Sequence, residues 1–225
     1  IPNLNLTEFS LDLALQEDRR FDEVGPAGEV LWFLNRLEPE GVLKPHSCLR
    51  YSEIEYDRSL VNEKMLALER DLDDELSPFS GKYPHVAEAQ LVINFPHWHA
   101  GTLPLSARIR HLFPTAYEAP RIRIMLVDGE NGEKFPGWVV RQYKYVYGLS
   151  DWYRTKGVMP GSLLRLRRGS QPGEVVVQVE SRRSSREWVR TVLVGSDGGV
   201  VFVMLKQPVS TAYDERMAIA VPDPE

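Results

Sequence analysis

The sequence predicts an α+β protein, mainly β, with a barrel-like C-terminal domain after a smaller acidic α/β region. Three observations carry that prediction. Short apolar-alternating runs separated by turn residues crowd the chain after residue 86, with only two short helical patterns among them. The one long helical stripe lies before residue 77. Charge divides along the same lines: residues 1–90 hold 9 Lys/Arg against 19 Asp/Glu, and residues 91–170 hold 12 against 5. The division is placed at 1–85 and 86–225.

In chain order, LNLTEFSLDLAL at 4–15 mixes the two hydrophobic periods and reads as a short helix or an arm. GPAG at 25–28 is a turn, and EVLWFLNRLEP at 29–39 reads as a strand ended by Glu-Pro. CLRYSEIEY at 48–56 reads as a second strand. Val61, Met65, Leu68, Leu72 and Leu76 form one helical stripe, so a helix is expected over 59–76, with Ser59 as its cap and Pro78 as its stop. The acids on its other face read as a solvated surface.

A strand is expected at 87–95, then HWHAG, then a Pro-initiated helix at 104–113. Ile122, Ile124 and Leu126 alternate with Arg121, Arg123 and Met125, so 121–128 is a strand with one core face. DGENGEK is a hairpin-grade turn leading into a long polar-aromatic strand from Trp138 to Tyr147. Ser150 caps a short helix, DWYRTK, that Gly157 ends. In SLLRLRRG, Leu164 and Leu166 alternate with Arg165 and Arg167. Further strands are expected at 174–180, 187–195 and 199–206, the last two joined by the hairpin turn SDGG.

Several function classes fall away on composition. The chain of 225 residues is 43% hydrophobic and 26% charged, ordinary for a globular protein, and holds no run of about 18 apolar residues that would span a membrane. The opening has no signal-peptide pattern, and the missing initiator Met suggests a segment of a longer protein. The one cysteine, Cys48, forms no internal disulfide and fits a reducing cytoplasm. It reads as a half-buried residue at a strand start. There is no phosphate-binding glycine loop, no GxSxG, no CxxC pair and no HExxH, so no cofactor is expected. Arg182, Arg183 and Arg186 read as part of an exposed hairpin loop.

The basic stretch carries the functional candidates. Arg141, Gln142 and Lys144 are long donors of the types that pair with base edges and phosphates, and a twisted β-ribbon can enter a major groove. Arg165 and Arg167 face outward together, and Arg108 and Arg110 are outer phosphate contacts. The same charges could instead pair with the acidic N-terminal region. His97 and His99 have the spacing that puts two imidazoles on one side of a strand. They are weak metal candidates, for which Cys48 or an N-terminal carboxylate would complete the set.

These residues also resemble a family. A Leu103-Pro104 segment runs to Phe113-Pro114, then a strand ends in Leu126-Val127-Asp128 before Asn131-Gly132. A Trp-led strand from Trp138 to Tyr145 follows, then Trp152 and Tyr153, Lys156-Gly157 and Gly161-Ser162. This order resembles the DNA-binding pseudobarrel, the B3-type domain of plant auxin-response factors also found in some restriction endonucleases, over about residues 100–170. Ser162 stands where that family has an acidic residue, and the stretch His97–Leu105, matching its first DNA arm, holds no Lys or Arg. The resemblance implies a pseudobarrel with Arg141, Gln142 and Lys144 on a second arm facing DNA.

The expected function is therefore non-enzymatic binding of duplex DNA by a cytoplasmic module of a larger bacterial protein, partnered by DNA or by other domains of a longer chain. A protein–protein scaffold is the alternative, and a metal-dependent hydrolase using the His97/His99 region is the third reading.

Overall fold

The computed structural model describes residues 4–26, 28–51, 62–64, 67, 74–76, 86–114, 119–181, 186–194, 196 and 198–208. Its elements are α1 (Leu4–Glu17), β1 (Phe21–Glu23), β2 (Trp32–Leu34), α2 (Glu40–Leu43), β3 (Glu88–Val92), α3 (Phe95–Ala100) and β4 (Thr102–Pro104). Then come β5 (Arg121–Asp128), β6 (Lys134–Val140), β7 (Tyr145–Tyr147), α4 (Ser150–Lys156), β8 (Leu163–Arg168), β9 (Glu174–Ser181), β10 (Arg186–Val194) and β11 (Val200–Pro208). Seven strands form one sheet in the order β3-β8-β9-β5-β6-β7-β4, curled into a half-barrel, so the fold is α+β, mainly β and pseudobarrel-like. Within it β5 and β9 run parallel and every other pair is antiparallel. β10 and β11 pair separately, from Arg186↔Pro208 to Val194↔Val200. Among the described residues no helix is long and apolar enough to cross a membrane.

β5 organises the sheet because its alternation is complete. Ile122, Ile124, Leu126 and Asp128 are buried, while Arg121, Arg123, Met125 and Val127 lie half-buried on the outer face. The inward residues pack with Val139, Val146, Leu164, Leu166, Val175 and Val177 in the barrel interior. Each such aliphatic side chain contributes about 1.5–3 kcal/mol on burial. The β5–β6 turn is held by Asp128, whose Oδ1 accepts the Glu130 N–H at 2.9 Å and whose Oδ2 lies 2.6 Å from Lys156 Nζ on α4. Burial alone raises the Asp128 carboxyl, and the Lys156 ammonium outweighs it and brings it below the usual range. α4 adds Trp152 and Tyr153 to the interior, and the Tyr153 hydroxyl donates to Thr102 O at 2.8 Å. Gly157 at φ 63 closes α4 in the left-handed conformation, as expected. Ser150 lies inside the helix, however, and Leu149 takes the capping position with no side-chain bond.

The outer face of β6 is covered as well. Trp138, Val140 and Tyr145 pack against Val24, Val42 and Leu49 of the N-terminal region. The Phe33 ring meets Trp138 edge-on at 5.1 Å, and the Tyr145 hydroxyl donates to Gly41 O at 2.6 Å. Charge follows the same seam. Arg121 lies 2.5 Å from Asp22 and 3.1 Å from Glu38, and the Arg123 guanidinium sits 5.3 Å over the Phe33 ring. β9 pairs with β5 only from Met125 onward, and Val24 O accepts the Arg123 N–H on the edge β9 leaves open.

Several expected elements differ. The strand expected over 29–39 is confined to Trp32–Leu34, and the chain then turns through a 3-10 helix at Asn35–Leu37. The start of the strand expected over 48–56 is a 3-10 turn, Ser47–Leu49. The strand after residue 86 stops at Val92, and HWHA belongs to α3: Asn94 caps it through the His97 N–H, Pro96 sits in its first turn, and Gly101 ends it at φ 65. The helix expected at 104–113 is instead the end of β4, turns, and a 3-10 helix at Arg110–Leu112. Leu105, Ile109, Leu112 and Phe113 on that segment are all buried in the barrel interior. The long strand from Trp138 to Tyr147 is broken by a four-residue turn at 141–144, where Lys144 takes φ 53. The helix expected over 59–76 falls largely outside the described residues.

The Arg121–Glu38 contact tests how firmly the N-terminal region is seated. The Glu38 side chain is fully buried, and burial pushes its carboxyl up while Arg121 opposes that shift. Arg121→Ala is expected to lower unfolding free energy by about 3–5 kcal/mol at neutral pH, because it strands a buried carboxylate. Urea denaturation measures this, and Arg123→Ala is expected to cost less.

Candidate functional site

The sheet brings most of the predicted basic residues to one end of the half-barrel. Pro104 pairs with Tyr145, and the Leu105 N–H donates to Lys144 O at 2.8 Å, so the chain leaves β4 beside the 141–144 turn. It then crosses toward β8, where the Arg168 guanidinium donates to His111 O, and His111 Nε2 lies 2.8 Å from Val86 O just before β3. Arg108 and Arg110 ride exposed on this crossing segment. Arg141 and Gln142 are exposed on the turn, and Lys144 is half-exposed beside them. The Arg141 N–H donates to Pro120 O at 3.0 Å and its Nη1 to Ala119 O at 3.5 Å, which tie the turn to the entry of β5. Arg167 is exposed near the end of β8. Three separate stretches of chain thus carry exposed basic residues, linked by the Leu105–Lys144 and Arg168–His111 hydrogen bonds.

Arg165 shares the outward face of β8 with Arg167 and is drawn into ion pairs there. It lies on the outer wall, with its Nη1 3.3 Å from Glu88 and its Nε 2.6 Å from Glu180. Arg121, Arg123 and Lys156, also part of the basic stretch, are engaged with Asp22, Glu38, Phe33, Asp128 and Glu130.

The two histidines do not face one another, because they sit two residues apart on a helix rather than on a strand. His97 is 1% exposed. Its Nδ1 is 2.8 Å from Thr102 Oγ1 and its Nε2 3.0 Å from Glu75 Oε1. Glu75, itself buried, also accepts the Tyr51 hydroxyl. This network is an internal brace that ties the segment around Glu75 to α3 and β4.

His99 points the other way, and its ring meets His46 edge-on at 4.9 Å. One ligand atom from each of His46, Cys48 and His99 falls within 4.8 Å of the others. A cavity of about 440 Å³ adjoins them, lined in part by Glu40, Lys44, Tyr145 and Tyr147. Sequence reading did not place His46 among the metal candidates, and the fold brings residues 46 and 48 to residue 99 without His97. Burial, with His99 and Arg50 nearby, holds the His46 imidazole below its ordinary pKa.

The brace has a measurable pH signature. Burial by itself raises the Glu75 carboxyl, but His97 and the Tyr51 hydroxyl outweigh it and bring it down to about 2. A carboxyl depressed in the folded state stabilises the fold fully above its unfolded pKa of about 4.3, and that stabilisation is lost as pH falls toward the folded value. Melting temperature is therefore expected to fall between about pH 5 and pH 2. The fall should be shallower in Glu75→Gln, which is expected to be the less stable protein at pH 7. No described protein family matches this chain, and no curated protein matches it as a relative.

Proposed function

We propose that this protein binds duplex DNA, without catalysis, through the basic rim at one end of the half-barrel. The observation that supports this reading is the exposure of Arg108, Arg110, Arg141, Gln142 and Arg167, with Lys144 half-exposed, on stretches that the Leu105–Lys144 and Arg168–His111 hydrogen bonds link. Cations spread over a chain scatter unless something gathers them, and here the crossing segment between β4 and β8 does so. Guanidinium and ammonium groups on such a rim neutralise phosphates and release condensed counterions, while Arg141 and Gln142 have the donor and acceptor sets to read base edges. Arg165, with Glu88 and Glu180 at its guanidinium, is given no contact in this reading. The sequence resemblance to the B3-type pseudobarrel supports the same surface, because it implies a second DNA arm carrying Arg141, Gln142 and Lys144.

A protein-binding scaffold is the second reading, favoured by α1, on which Leu6, Phe9, Leu11 and Leu13 are all exposed. The two readings separate experimentally. DNA binding is expected to weaken with salt at a slope of about −0.9 in log–log terms per phosphate contact. Arg141→Glu combined with Lys144→Glu should abolish the gel shift of mixed-sequence duplex while leaving the melting temperature within a few degrees of the parent. A gel shift retained by this double variant would sink the proposal. No duplex binding at all near 100 mM salt, with self-association on a sizing column, would favour the scaffold.

A further inference from the structure

We propose that His46, Cys48 and His99 form a binding site for one zinc-class divalent cation, with the fourth coordination position open to the adjoining cavity. The site is independent of the DNA reading, uses no residue of the basic rim, and requires no catalysis.

The donor set points to the metal. One thiolate and two imidazoles suit zinc and its borderline-soft neighbours, and they suit magnesium or calcium poorly. The three ligands stand on backbone that is already shaped. His46 sits at the start of the 3-10 turn Ser47–Leu49, where its Nδ1 accepts the Cys48 N–H at 3.3 Å. That bond is long, so the Nδ1 lone pair can be given up to a metal at little cost. Cys48 follows two residues later on the same turn, half-exposed. His99 comes from the last turn of α3, with its ring stacked on Phe95 at 5.4 Å. Zinc bonds of about 2.0–2.3 Å place neighbouring ligand atoms roughly 3.3–3.8 Å apart in a tetrahedron. The three atoms lie within 4.8 Å of one another. The gap is at most about 1.5 Å, and both histidines are exposed and can rotate to close it.

Charge sets the terms of binding. Arg50, whose Nε donates to Pro45 O at 3.1 Å, and Lys44 on the cavity wall both oppose a cation. The Cys48 thiolate supplies the local negative charge, and Glu40 lines the same cavity. On binding, the Cys48 thiol releases its proton to solvent and the sulfur lone pair forms the metal bond. The three ligands replace waters of the hydrated ion, the surplus waters leave as the ion becomes four-coordinate, and one water stays facing the cavity. Because His46 and Cys48 belong to the N-terminal region and His99 to α3, the metal would clip that region to the half-barrel. Binding would then stabilise the folded state by mass action.

The test uses the whole chain, freed of metal by chelator dialysis and titrated with cobalt(II) chloride, then with zinc chloride. Saturation at one cobalt per chain is expected, with thiolate-to-cobalt charge-transfer absorption and intense visible bands of a four-coordinate ion, both bleached by zinc. Cys48→Ser should lose the charge-transfer band. His99→Ala should weaken cobalt binding by more than the about 10–100-fold that loss of an outer-shell partner costs. His111→Ala, whose imidazole lies against Val86 O and outside the ligand set, should bind as the parent does. Folding of each variant is checked by its melting curve, and zinc should raise the melting temperature of the parent but not of Cys48→Ser. Absence of saturable cobalt binding would overturn the proposal. So would a spectrum lacking sulfur charge transfer, or parent-like affinity in folded His99→Ala.

Discussion

The structure depends on β6 being buried on both faces. A curled sheet with one solvated face needs only an interior core, yet here Trp138 and Val140 are as deeply buried on the outside as Val139 is on the inside. The N-terminal region supplies the outer cover through Val24, Phe33, Val42 and Leu49, and it brings Asp22 and Glu38 against Arg121. Apolar burial provides the energy of this contact. The ion pairs fix its register, since a buried carboxylate without Arg121 is costly wherever else it might settle.

The basic stretch is distributed between the wall of the sheet and its loops. Cations on the outer wall of the sheet or at its far end are engaged: Arg121 with Asp22 and Glu38, Arg165 with Glu88 and Glu180, Lys156 with Asp128 and Glu130. Arg108 and Arg110 on the crossing segment, and Arg141 on the turn from β6 to β7, are carried exposed on loops. Acids of residues 1–90 meet Arg121 and Arg165 in these pairs, and exposed basic residues also lie at the end where β4 leaves the sheet. A single net charge of −5 for the chain conceals both facts.

The parts of the fold that were legible in the sequence are those governed by local pattern. The strict alternation of β5, the Asp128 turn, the stop at Gly157 and the pairing of the last two strands all follow from side-chain period and turn chemistry. Where two patterns coincide, local reasoning chose wrongly. Leu105, Ile109 and Leu112 have helical spacing, but the barrel interior draws them in from irregular backbone held by Lys144 O. The break at 141–144 carries no Gly or Pro, and its sharp bend rests on Lys144 at a positive φ that few non-glycine residues adopt. α3 did carry its signals in Asn94, Pro96 and Gly101, and reading them would have separated His97 from His99 at once. The convergence of His46, Cys48 and His99, and of the three stretches that make the rim, is tertiary and leaves no mark in local sequence.

The most direct test of the account compares the salt dependence of duplex binding in two single variants. Arg141→Gln removes a rim cation, and Arg165→Gln removes one already paired on the outer wall. If the rim is the DNA surface, Arg141→Gln should reduce the log–log salt slope by about 0.9, and Arg165→Gln should leave it unchanged. Equal effects of the two substitutions, or a duplex affinity that does not respond to salt, would contradict it.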